Sequence, residues 1–138
     1  EYVTLKNLEV LDKWVKTSRN QYKGTIRRSV CLSEAGTCSP SYEDDDLQDQ
    51  AAGFAYGLKK INNLDGINGI QWHSWFDHLG DGACLGLRKY ADAPHNGEAK
   101  PVWTTYQKAD TDEEDDYFEQ YLSRIGIDSW EGIIQDIP

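Results

Sequence analysis

The chain has 138 residues, 38% of them hydrophobic and 28% charged, which fits one globular domain and excludes a disordered tail. A formal net charge of −10 argues against nucleic acid as a partner, since phosphate binding needs clustered Lys and Arg, and against an anionic membrane surface. No apolar run approaches the roughly 18 residues of a membrane span, and no secretory leader opens the chain. The first residue is Glu1 and the chain contains no Met. That predicts a chain processed or cut from a longer one. Aromatics reach 12%, with five Trp and eight Tyr, enough to serve both a core and a neutral ligand with flat faces, such as a sugar.

Leu5 to about Ser18 predicts a helix capped by Thr4, with Leu5, Leu8, Leu11, Trp14 and Val15 on its apolar side. Arg28 to Ser33 reads as a short buried strand that places Cys31 in the core and runs out into Glu34-Ala35-Gly36. The acidic run 43–46 precedes a helical pattern from Leu47 to about Ile61, where carboxylates at a helix N-terminus favour the macrodipole. Gly66 to His73 reads as a second strand, continuing into Ser74-Trp75-Phe76-Asp77-His78. A Gly-rich loop follows, then a helix opened by Pro101 that carries Val102, Trp103 and Tyr106. The second acidic run, 110–116, again precedes a helical pattern through Phe118, Tyr121 and Ile125, and the end of the chain (Trp130, Ile133, Ile134) reads as a short amphipathic segment. Residues 1–138 thus form a single segment. Strands separated by helices imply parallel βαβ units covered on both faces. Two or three strands do not complete such a sheet, so further strands are expected from missing sequence or from another chain.

In parallel α/β folds, functional groups gather where strands end. Glu34 ends the first strand, while Trp72, His73, Trp75, Asp77 and His78 lie at or beyond the end of the second. Adjacent strands bring both sets to one mouth. Glu34 is the candidate catalytic carboxylate, because glycosidic bonds are cut by carboxylate pairs. His73, Trp75, Trp72, Asp77 and His78 are candidate substrate-binding residues, the tryptophans by stacking. Each also has a plainer use: a surface Glu, a core His or Trp, an Asp that caps a turn. Glu34, Asp77, His78 and Asp81 match no standard metal signature, so no metal and no cofactor is predicted. The three cysteines form no CxxC pair, and a Cys38–Cys84 disulfide suits an exported chain.

Ser29-Val-Cys-Leu-Ser-Glu-Ala-Gly36, Ala51-Ala-Gly-Phe-Ala-Tyr-Gly-Leu58 and Gln71-Trp-His-Ser-Trp-Phe-Asp-His78, followed by Gly80 to Leu87 and Lys100-Pro-Val-Trp103, resemble the DUF5722 family and the last part of a glycoside-hydrolase-like TIM barrel. The resemblance implies the C-terminal portion of a (β/α)8 barrel, with the two strands as its seventh and eighth. It implies Glu34 as the nucleophile, in a Ser-Glu-x-Gly pattern, and Trp72 or Trp75 on the sugar-binding floor. The general acid/base of such enzymes has no counterpart in this chain. Half of a catalytic pair is therefore expected, acting on poly- or oligosaccharide within a larger protein. Export over a cytoplasmic location is expected only from the class of polysaccharide degraders that the resemblance implies. A non-catalytic carbohydrate-binding segment that completes a partner chain is the alternative, and burial of Trp14 and Trp103 against such a chain would mark it.

Overall fold

The computed structural model describes residues 2–136. Thr4 caps the first turn as its sequence suggests. Its side chain accepts from the Lys6 N–H at 3.2 Å, and Asn7 Oδ1 accepts in return from the Thr4 N–H at 2.7 Å. A 3-10 turn (Leu5–Asn7) leads into α1 (Leu8–Lys16), which buries Leu8, Glu9, Asp12 and Val15. Trp14 is one position off that stripe and stays 52% exposed, against its expected place on the apolar side.

The two strands form around apolar Leu32 and β-branched Ile70, which lie opposite one another. β1 (Cys31–Ala35) and β2 (Gly69–Trp72) pair in parallel, with Cys31 opposite Gly69, Leu32 opposite Ile70 and Ala35 opposite Trp72. The crossover between them is α2 (Asp44–Asn62), whose first turn holds Asp44, Asp45 and Asp46 as the macrodipole favours. Ala51, Phe54, Ala55 and Leu58 of α2 build the main core with Leu87, Val102, Phe118 and Tyr121. A smaller cluster of Leu8, Ile61, Leu64 and Ile67 joins α1 to the other end of α2. α3 (Pro101–Lys108), with Pro101 at its first turn, packs on α2.

The predicted helix beyond the second acidic run is broken into three pieces: α4 (Glu114–Phe118), a 3-10 turn (Glu119–Tyr121) and α5 (Leu122–Ile125). A 3-10 turn places residues three apart on one side, and Phe118 and Tyr121 are both buried in the same cluster. The end of the chain, 127–136, forms turns and no helix.

The expectation of the C-terminal portion of a (β/α)8 barrel is overturned. Among the described residues the sheet has two strands only, and α3 packs against α2 instead of covering a further strand. A barrel strand is covered on its outer side and lines a packed interior. In β1, Cys31, Ser33 and Glu34 are exposed, so Cys31 is not the core residue its strand position suggested. The result is a small α/β domain built on one βαβ unit. No described helix is long and apolar enough to cross a membrane.

Candidate functional site

Beyond β2 the chain leaves the sheet through a long loop, and one buried carboxylate organises it. The Asp77 side chain is 0% exposed. Lys100 Nζ, also 0% exposed, lies 2.9 Å from Asp77 Oδ1 and 3.1 Å from Oδ2. The Tyr42 hydroxyl donates to Oδ2 at 2.7 Å, and the Gly86 N–H donates to Oδ1 at 2.6 Å. Both oxygens are thus taken by partners inside the protein, which satisfies a charge that would otherwise be costly to bury. Lys100 Nζ also donates to the Cys84 carbonyl at 3.1 Å, and the Tyr42 oxygen accepts from the Tyr90 N–H at 3.2 Å. Burial holds the Lys100 pKa below its ordinary value against the pull of Asp77. Burial, then the bond to Asp77, pushes the Tyr42 hydroxyl well above the ordinary range.

Gln50 of α2 ties this loop to the crossover helix. Its amide donates to the carbonyls of Thr37 at 2.8 Å, Cys84 at 3.2 Å and Gly86 at 3.3 Å. Gly86 admits no side chain, since an added Cβ would sit 2.3 Å from the Asp77 nitrogen and the Phe76 carbonyl carbon. Cys38 and Cys84 flank this junction as free thiols, with no disulfide between them.

On this base stands an open mouth of about 580 Å³, lined by Trp75, Phe76, Leu79 and Tyr90 among apolar groups and by His73 and Asp81 among polar ones. Trp75 is 53% exposed and is braced edge-on by Trp103, ring centroids 4.8 Å apart. His73 Nε2 lies 3.3 Å from Asp81 Oδ2. His78, mostly exposed, accepts from the Gly80 N–H through Nδ1 at 3.0 Å. Trp72 points the other way: its Nε1–H donates to the Leu85 carbonyl at 3.0 Å and its ring meets Phe54 at 5.1 Å. Trp72 is the last residue of β2 and takes its direction from the strand, whereas Trp75 lies in the loop beyond it.

Glu34 ends β1 near the end of β2, where the Ala35 carbonyl accepts from the His73 N–H at 3.0 Å. Its side chain, however, lines a different cavity, a groove of about 520 Å³ with Leu5, Leu8, Leu11 and Leu32. Among the described residues Glu34 is the one ionisable group on that groove. The five candidate binding residues therefore separate: His73, Trp75 and His78 are presented to solvent at the mouth, whereas Asp77 and Trp72 support it from beneath. The alternative metal set of Glu34, Asp77, His78 and Asp81 does not assemble among the described residues. Sequence reasoning missed Lys100, Tyr42 and Gln50. A lysine directly before the proline that opens a helix carried no signal of burial, and only its pairing with a distant aspartate reveals it.

A family model described as a family of unknown function, DUF5722, matches residues 1–133. The chain belongs to the DUF5722 family. No curated protein matches the chain, and no solved structure matches it. The match takes in the Thr4 cap, the buried Asp77–Lys100 pair and the aromatic mouth. What the mouth can do chemically follows from its surfaces. It offers a flat aromatic face, a second aromatic behind it, and ring nitrogens and carboxylates at its rim.

Proposed function

We propose that this DUF5722 chain binds carbohydrate, an oligosaccharide or a polysaccharide segment, at the mouth beyond β2. Trp75 is the stacking platform, and His73, His78 and Asp81 exchange hydrogen bonds with sugar hydroxyls. The observation that carries this reading is the half-exposed Trp75 ring, fixed against Trp103 over an open cavity with polar groups at its edge. Sugars present C–H faces that aromatic rings cover and hydroxyls that need partners, so a site of this composition suits them. Asp77 and Trp72 act beneath the site by holding its loop.

A second reading is glycoside hydrolysis with Glu34 as the nucleophile. In its favour, Glu34 is solvent-exposed at the carboxyl end of a parallel strand, where such groups act. Hydrolysis takes two carboxylates, about 5–5.5 Å apart for retention and about 6.5–9.5 Å for inversion. The groove that Glu34 lines holds no second one among the described residues. A hydrolase would therefore draw its acid/base from another chain or from residues beyond those described. Binding is the simpler function.

One experiment separates the readings. The intact chain and its Trp75→Ala and Glu34→Gln variants are titrated with neutral oligosaccharides by calorimetry and assayed for released reducing ends. Binding lost in Trp75→Ala and retained in Glu34→Gln, without hydrolysis, supports the binding reading. Turnover abolished by Glu34→Gln with affinity intact supports the hydrolytic one. Equal binding by wild type and Trp75→Ala removes the mouth from the binding reading.

A further inference from the structure

The fixed charges around the mouth are all of one sign. Asp81 and Asp92 line it, and no Lys or Arg does among the described residues. Asp77 is neutralised beneath it by Lys100. The nearest cations are committed elsewhere. Arg88 sits over the Trp103 ring, 5.9 Å from its centroid, with its Nε donating to the Gly97 carbonyl at 2.7 Å. Lys89 is paired with Glu98 at 2.7 Å. Asp81 has His73 and His78 as neighbours, whereas no hydrogen bond or ion pair occupies the Asp92 side chain among the described residues. The mouth thus combines exposed aromatic faces with a carboxylate that has no counter-charge.

Resting on the carbohydrate reading, we propose that the sugar taken at this mouth is an amino sugar carrying a free ammonium group, with Asp92 as its specificity-determining residue. An ammonium on a sugar stacked at Trp75 gains two interactions that a hydroxyl does not: an ion pair with Asp92 and attraction to the aromatic faces beside it. A uronate meets the opposite situation. Its carboxylate faces Asp81 and Asp92 with no cation to receive it, and the chain's charge of −10 adds repulsion.

The test compares three trisaccharides of equal length by calorimetry: a fully deacetylated glucosamine trimer, cellotriose and trigalacturonate. The expected order is amino sugar first, by about tenfold over cellotriose, as an exposed ion pair and an exposed cation–π contact together supply. Trigalacturonate is expected last. Asp92→Asn removes the preference for the amine over cellotriose. Asp112→Asn, a distant surface carboxylate, leaves the preference intact and so excludes a general attraction to an acidic protein. Equal affinity for the amine and cellotriose, or a preference that Asp92→Asn does not reduce, overturns the assignment while the carbohydrate reading stands. No binding of any of the three overturns both.

Discussion

At the scale of single residues, the site depends on a division of labour between Trp75 and Asp77, two positions apart. Trp75 is half exposed and braced by Trp103, so Trp75→Ala is expected to cost about 1–2 kcal/mol in stability while removing sugar binding. Asp77 is the reverse. Removing it leaves Lys100 buried without its counter-charge, and Asp77→Ala should cost about 3–5 kcal/mol in urea unfolding. The double variant Asp77→Ala/Lys100→Met should recover part of that loss, because the stranded charge is gone. A double variant as unstable as the sum of its two singles would contradict the buried-pair account. Both residues were legible as site candidates from the sequence run 71–78. Their separation into a surface group and a buried anchor was not, because it is set by Lys100 and Tyr42, distant in sequence.

At the scale of elements, α2 was the most legible part of the chain. Its acidic first turn and its apolar residues at helical spacing agree, and both features recur in the structure. The strands were legible as strands but not in their burial, since sequence shows that a run is apolar and not how many layers will cover it. The barrel expectation came from the resemblance and not from the strands themselves, and among the described residues only one βαβ unit is present. The tight fit between α2 and its surroundings gives a direct test. A Cβ at Gly53 would sit 2.8 Å from Thr37 Cγ2, and one at Gly86 would meet backbone atoms at 2.3 Å. A threonine methyl can shift, but a backbone cannot. Gly86→Ala is therefore expected to destabilise the chain by about 1–3 kcal/mol or more, and Gly53→Ala by less. Equal losses in a denaturant midpoint comparison would show that the loop around Asp77 is looser than its geometry indicates.

At the scale of the whole molecule, α1 is held to α2 by a second buried pair, far from the mouth. Lys60 Nζ donates to Glu9 Oε1 at 2.5 Å, and the Gln135 N–H reaches the same oxygen at 2.9 Å. Burial alone would raise the Glu9 pKa, but these bonds outweigh it and hold the carboxyl below its ordinary 4.5. A carboxylate depressed in the folded state stabilises above its unfolded pKa, and that contribution fades as pH falls from about 4.5 through the folded value. Urea unfolding between pH 6 and pH 3 should show an acid loss that is smaller in Glu9→Gln, a variant already weakened at pH 6. An identical acid slope in that variant would mean that other carboxylates govern the transition. Because this pair lies apart from the mouth, Glu9→Gln should leave sugar affinity unaltered wherever the chain remains folded.

The central claim is that the loop beyond β2 presents Trp75 to a sugar. The measurement that tests it most directly is the calorimetric affinity of the intact chain for neutral and amino oligosaccharides, set beside that of Trp75→Ala at matched fold stability. Saturable binding by the wild-type chain and its loss in Trp75→Ala are expected. Binding that survives this substitution unchanged, or no binding of any saccharide by a folded wild-type chain, would contradict that claim.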